Sequence, residues 1–183
     1  MPSVNSKIKQ MTLIGLMTAV LCILAPIAIP LPISPVPVSL GNMAVCFVVA
    51  VLGFKRGTLS VLLYLLLGLA GIPVFSGFTG GIGKLLGPTG GYLIGYLLLA
   101  LLLGFFVEHF HNRLFTNLCG TLAGMILLYL FGTLWLAFQL DLDFLSALIT
   151  GVIPYIPLDI IKTIPTVLLG KQLRKRLTQA GLT

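Results

Sequence analysis

Charge in this chain is confined almost entirely to the ends of long apolar runs, and that arrangement constrains the fold more than any motif. Six apolar segments lie between stretches of proline, glycine and charge, at about 11–29, 38–52, 58–71, 90–107, 114–138 and 144–170. A straight helix needs roughly 20 apolar residues to cross the hydrocarbon of a bilayer. The second and third segments are shorter, so they are expected to tilt, thin the bilayer or borrow loop residues. Only 8% of the 183 residues are charged, against about a quarter in soluble domains, and the mean hydropathy is +1.14. A soluble domain of this length could not hide so much apolar surface, whereas lipid can. The expected fold is all-α: one integral membrane bundle of six transmembrane helices over residues 1–183, with a short N-terminus (1–9) and a basic tail (171–183).

The formal net charge is +7, but the positions of the basic residues indicate membrane topology rather than nucleic-acid binding. Lys7 and Lys9 precede the first segment, Lys55 and Arg56 separate the second from the third, and Arg113 separates the fourth from the fifth. Lys171, Arg174, Lys175 and Arg176 follow the sixth. In an alternating six-span topology all of these fall on one side, and the opposite loops contribute only Lys84. The positive-inside rule then places both termini in the cytoplasm. The basic N-terminus followed by an apolar run resembles a signal peptide, but the run is long and the prolines after it do not form a cleavage site, so it reads as an uncleaved first span. Cys22, Cys46 and Cys119 are odd in number and scattered through apolar runs, which fits packing rather than a disulfide framework.

Two outer loops are rich in proline and glycine, 30–37 and 72–89. The second is glycine-rich and still apolar, so it is expected to fold back on the bundle, because irregular backbone near membrane depth needs protein or a wet cavity beside it. Its glycines invite a nucleotide reading, but the Walker A pattern fails twice. Phe78 stands five residues before Gly83-Lys84 where a glycine is required, and Leu85 follows the lysine. A close-fitting lid is the better reading, with Thr79, Gly80 and Gly81 offering backbone N–H groups to a ligand. A plain turn-rich connector is the alternative.

The sharpest chemical signal is Asp159 and Lys162, in the stretch PYIPLDIIKTIP. Both lie inside the sixth apolar segment, where a charge costs several kcal/mol unless it is paired or faces water. Three residues apart on a helix, they share a face. Pro154 and Pro157 break or start a helical turn just before them, and a half-helix opening near Pro157 would point free N–H groups into the bundle. The pair therefore offers an acceptor, a donor and backbone groups at one spot for a polar ligand. A structural ion pair that fixes helix packing is the competing reading, although apolar residues would do that at lower cost.

Other features are weaker. Gly15 and Ala19 form a small-xxx-small pair through which another helix could approach closely. Phe131, Trp135 and Phe138 are spaced along one helix and fit an aromatic belt at the outer boundary, with stacking on a ligand ring as the alternative. His109 and His111, beside Glu108, read as a solvated turn rather than a metal site, and Asp141 and Asp143 likewise. There is no nucleophile–base set and no zinc spacing, so the sequence makes no case for an enzyme.

Three motifs, PISPVPVSL at 32–40, GGIGKLLGPTGGYLIGY at 80–96 and PLDIIK at 157–162, resemble the BioY family, the biotin-specific S components of energy-coupling-factor (ECF) transporters. The resemblance implies a six-helix S-component fold, with the glycine-rich outer loop capping the ligand site and biotin bound near the outer face. It also implies a complex with a membrane coupling subunit (the T component) driven by two cytoplasmic ATPases, and toppling of the S component in the membrane to release biotin inside. ATP is used by the partners, and no cofactor is expected on this chain. Gly15 and Ala19 match the positions of an AxxxA-like pattern that faces the coupling subunit. The fused ureido ring of biotin presents two N–H donors and one carbonyl acceptor, so an ionised Asp159 can accept from N–H and a charged Lys162 can donate to the carbonyl, and Tyr92 is expected to contact the ligand. The carboxylate is expected to find donors in loop backbone or Lys84. The chain departs from some members at Gly41, Leu93 and Thr79, where they carry Gln, Arg and Asn. Asn42 is expected to substitute for the missing amide. The rival functions are an S component for thiamine, riboflavin or a related vitamin, an autonomous proton-coupled carrier, and a membrane scaffold that binds no ligand.

Overall fold

The computed structural model describes residues 4–32, 34–110 and 113–181, with side chains from residue 7 onward. The chain is mostly helical. Helix α1 (Val4–Leu24) leads into a small hairpin, β1 (Ala28–Leu31) and β2 (Ser34–Ser39). Then come α2 (Gly41–Leu52), α3 (Phe54–Leu69), the short α4 (Ile82–Leu86), α5 (Gly90–His109), α6 (Leu114–Leu140), α7 (Phe144–Gly151) and α8 (Ile156–Gln179). Among the described residues, three helices are long and apolar enough to cross a membrane: α1, α5 and α6. A fourth span is counted if α7 and α8, bent by 52° at their junction, are taken as one broken span. Helix α2 is apolar but has only 12 residues, and α3 has 16.

Helix α2 sits at the centre. It is apolar all round, the pattern of a helix surrounded by protein, and every residue in it except Met43 and Phe47 is buried. It packs against α1, α3, α5 and α8. Gly53 ends α2 and starts α3 with φ of 81°, a left-handed conformation that costs glycine nothing. That single residue lets two short helices turn on each other without a loop.

Helices α5 and α6 form the most extensive pair and run antiparallel across a short connection. Glycines at the seam bring their backbones together, as small residues do in membrane helices. A Cβ placed on Gly95 would lie 3.2 Å from the Leu128 Cα, and one on Gly124 would lie 3.3 Å from the Leu99 Cα. The core beside this seam holds Val45, Val48, Leu99, Leu103 and Leu136, each fully buried. Large apolar side chains remain exposed on the outside of the bundle, among them Phe115, Ile126 and Phe138 on α6 and Ile161, Ile164 and Leu169 on α8. In a bilayer these contact lipid rather than water.

Two local features differ from the sequence reading. The proline-rich stretch taken as a loop is an antiparallel hairpin, pairing Ala28 with Ser39, Ile29 with Val38 and Leu31 with Ser34. Its register slips between Ile29 and Leu31, where Pro30 has no N–H to give to a ladder. The last apolar segment, read as one run from 144 to 170, is two helices. The N–H groups of Val152 and Ile153 both donate to the Leu148 carbonyl (3.0 and 3.1 Å), which closes α7. Pro154 cannot continue the helix, and α8 restarts at Ile156 with Pro157 in its first turn, where a missing N–H is harmless.

The 72–89 loop folds back on the bundle. Phe75 is fully buried, edge-on to Tyr64 with ring centroids 5.6 Å apart. Gly77 N–H donates to the Pro26 carbonyl (2.9 Å) and Gly81 N–H to the Gly68 carbonyl (2.7 Å). At the far end Trp135 Nε1 donates to the Gly87 carbonyl at 3.0 Å, and Gln139 Nε2 to the Leu86 carbonyl at 2.6 Å.

Candidate functional site

A pocket opens between the hairpin and the break in the last span. It encloses about 410 Å³ of empty space, its open mouth included. One wall is β2, from Val36 to Ser39; the others are Asn42 of α2, Tyr92 and Tyr96 of α5, Leu128 and Tyr129 of α6, and Gly151, Tyr155 and Asp159 around the break. The wall chemistry is mixed: valine, proline and leucine surfaces alternate with four phenols, one amide and one carboxylate.

The carboxylate is the centre of the polar network. Asp159 is 6% exposed and lies in the first turn of α8, where the helix dipole favours a negative group. Lys162 stands one turn on, with Nζ 3.5 Å from Asp159 Oδ1, and also donates to the Ser39 carbonyl at 3.4 Å. Tyr129 donates its hydroxyl to Asp159 Oδ2. The α8 backbone beneath is secured by Asp159 N–H donating to the Tyr155 carbonyl (2.9 Å) and Thr163 Oγ1 donating to the Asp159 carbonyl (2.7 Å).

Phenols hold the surrounding elements in place. Buried tyrosine hydroxyls need partners, and these find them across the sequence. Tyr92 donates to the Gly151 carbonyl at 3.1 Å, satisfying a carbonyl at the end of α7. Tyr155 donates to the Val36 carbonyl, tying the break to the hairpin. Tyr96 and Ser39 share a hydrogen bond of 3.4 Å, and Ser39 Oγ accepts from Gly41 N–H at 3.2 Å.

The structure brings together four of the residues singled out in the sequence. Asp159, Asn42 and Tyr92 line the pocket, and Lys162, half-buried, is bonded to its rim at Ser39 and Asp159. Asn42 is oriented by its own backbone, its Oδ1 accepting from Met43 N–H at 2.8 Å. The loop candidates are not in the lining. Thr79 is in a tight turn with its hydroxyl donating to the Ser76 carbonyl (3.0 Å), and its N–H donates to the Phe75 carbonyl at 3.3 Å. Gly80 packs on the Ile72 carbonyl, Gly81 N–H is bonded to Gly68, and Lys84 is half-buried on α4. Trp135, half-buried, stacks near Phe131 with centroids 6.5 Å apart and holds the end of the loop rather than a pocket wall. Gly15 and Ala19 are exposed on α1. His109 stacks on Phe105 at 5.2 Å, and its sequence neighbour His111 lies outside the described residues. Among the described residues no three His, Cys, Asp or Glu side chains gather to hold a metal ion.

Sequence reasoning missed Ser39, Tyr96, Tyr129 and Tyr155. A signal was present: four of the chain's five tyrosines, Tyr92, Tyr96, Tyr129 and Tyr155, line the pocket, and each lies in or beside an apolar run, where a buried hydroxyl favours a partner. The pocket can grip a compact polar ring with an apolar body. The carboxylate accepts, the ammonium donates, the phenols do either, and the aliphatic walls take the rest.

Fold and site together describe a helical, membrane-like protein with a pocket that the buried carboxylate of Asp159 lines and Lys162 joins at the rim. The chain belongs to the BioY family, whose model matches residues 1–179. It is 38% identical to the biotin transporter BioY2 of Lactococcus lactis subsp. cremoris over 97% of this chain and 96% of that one. It is also 38% identical to the biotin transporter BioY of Thermotoga maritima, over 91% of this chain and 96% of that one. A crystal structure of the S component for biotin from an ECF-type ABC transporter superposes with a TM-score of 0.89, at 38% identity, covering 96% of this chain and 95% of that chain.

Proposed function

We propose that this protein is the biotin-capturing S component of an ECF-type transporter. The observation that carries the reading is the buried Asp159 carboxylate on a pocket wall, paired with Lys162 at the rim, within a protein family whose named relatives are biotin transporters. The ureido ring of biotin presents two N–H donors and one carbonyl. Asp159 accepts from N–H. Lys162 has three donors, two of them directed to Asp159 and Ser39, which leaves one for the ureido carbonyl. The thiophane ring and valeryl chain lie against Val36, Pro37, Val38 and Leu128. The amide of Asn42 and the backbone of the 72–89 loop supply donors to the carboxylate, with Lys84 as the nearby cation once the loop closes over the mouth.

In this reading all six apolar segments span the membrane, the short α2 and α3 included, with both termini cytoplasmic. The bound biotin is delivered by partners: a membrane coupling subunit that docks on α1, and two ATPases that supply the energy this chain does not generate. The exposed Gly15 supports the docking face. Nothing lies within 4 Å of where its Cβ would be, so a second helix has room to approach closely.

Mass spectrometry of small molecules released from the denatured, purified protein tests the reading. Biotin released near one equivalent is the expected result. Release of thiamine or riboflavin, or of no vitamin after growth with biotin, would overturn it.

A further inference from the structure

We propose that Tyr129 is a positioning residue for the ligand-gripping carboxylate and acts through Asp159; this rests on the biotin-binding reading. Asp159 stands one turn after the 52° break between α7 and α8, so its own backbone is anchored to only one helical segment. Its side chain is held from two directions by two helices. Lys162, on the same helix, faces Oδ1 at 3.5 Å, and Tyr129, on α6, donates to Oδ2. Two donors on opposite oxygens fix the plane of a carboxylate that would otherwise rotate about its side-chain bonds. Each carboxylate oxygen has about two lone-pair sites, so each partner uses one and leaves one for a ligand N–H. Tyr129 also carries the position of α6 to the site, because its ring lines the same pocket. Preorganisation of this kind raises affinity by removing the cost of ordering the acceptor when the ligand arrives.

The test is a double-mutant cycle on biotin affinity, measured by calorimetry on the purified full chain with Tyr129→Phe, Asp159→Asn and the double variant. Tyr129→Phe is expected to weaken binding about 3–10-fold in the wild-type background, the range for loss of one ordinary intramolecular hydrogen bond. In the Asp159→Asn background the same substitution is expected to cost less than about twofold. Equal losses in both backgrounds, as general damage to packing would produce, overturn the proposal, and so does no loss in the wild type. Absence of biotin binding by the wild-type chain overturns the function reading as well; binding with additive losses overturns this proposal alone. If Tyr129→Phe does not fold, 3-fluorotyrosine at position 129 preserves the ring and its hydroxyl. Its fluorine resonance is expected to move when Asp159 is replaced by Asn and when biotin is added, and a resonance that ignores both changes overturns the proposal.

Discussion

Tyr155, at the break in the last span, donates its hydroxyl to the Val36 carbonyl in the hairpin, 119 residues away. That bond joins two elements that the pocket needs in register: the helix start that carries Asp159 and the strand that forms the facing wall. Tyr155→Phe removes the donor and leaves the Val36 carbonyl without it. The expected loss is about 1 kcal/mol, read as a roughly fivefold weaker biotin affinity by calorimetry, with the thermal midpoint lowered only slightly.

Lys162→Met separates the two roles of the ion pair. It leaves Asp159, 6% exposed, with Tyr129 as its remaining side-chain partner. Removing one member of a buried pair costs roughly 3 kcal/mol, so the variant is expected to unfold at a clearly lower temperature in detergent than Asp159→Asn, which removes charge from the other side. Equal midpoints for the two variants would mean that the carboxylate is already adequately solvated without the lysine.

Packing can be tested away from the site. A Cβ on Gly104 would lie 2.7 Å from the Cα of Phe54, so Gly104→Ala must push α5 away from α3. A cost of about 1–3 kcal/mol is expected for overpacking against backbone, with biotin affinity in the folded fraction unchanged. A change in affinity without loss of stability would argue that this seam communicates with the pocket.

Asp143, between α6 and α7, gives a pH-dependent contribution. Its carboxylate caps α7 by accepting from Ser146 N–H at 3.2 Å, and hydrogen bonding from the Ser146 side chain and backbone holds its pKa below the ordinary value. A carboxyl whose folded pKa is depressed stabilises the fold above its unfolded pKa, and that contribution fades as pH falls through the folded value. Thermal midpoints of wild type and Asp143→Ala are therefore expected to differ at neutral pH and to converge in acid.

The chain contains one tryptophan, and it holds the end of the 72–89 loop through the Gly87 carbonyl. Closure of that loop on biotin is expected to alter Trp135 emission on titration, saturating with the calorimetric affinity. Unchanged emission at saturating biotin would argue against movement of the loop's end.

The broad organisation was legible because lipid imposes a simple rule: apolar length and basic flanks mark the segments. The Asp159–Lys162 pair was legible for the same reason, since ionisable residues stand out where charge is costly. The hairpin was not. Four prolines at 30, 32, 35 and 37 read as a loop, and the pairing of Ala28 with Ser39 is a contact between segments that local pattern does not encode. Tyr129 and Tyr155 were missed because one phenol in an apolar run fits either core filling or a polar contact until its partner is known. The break at 152–155 was half legible: Pro154 and Pro157 announced an interruption, but its 52° bend is set by packing.

The most direct test of the account is a calorimetric titration of biotin into the purified wild-type chain and into Asp159→Asn. One site is expected on the wild type, and an affinity at least about tenfold weaker in the variant, or about 1.4 kcal/mol, with both proteins folded. Identical affinities would contradict it, because they would remove the buried carboxylate from the ligand site.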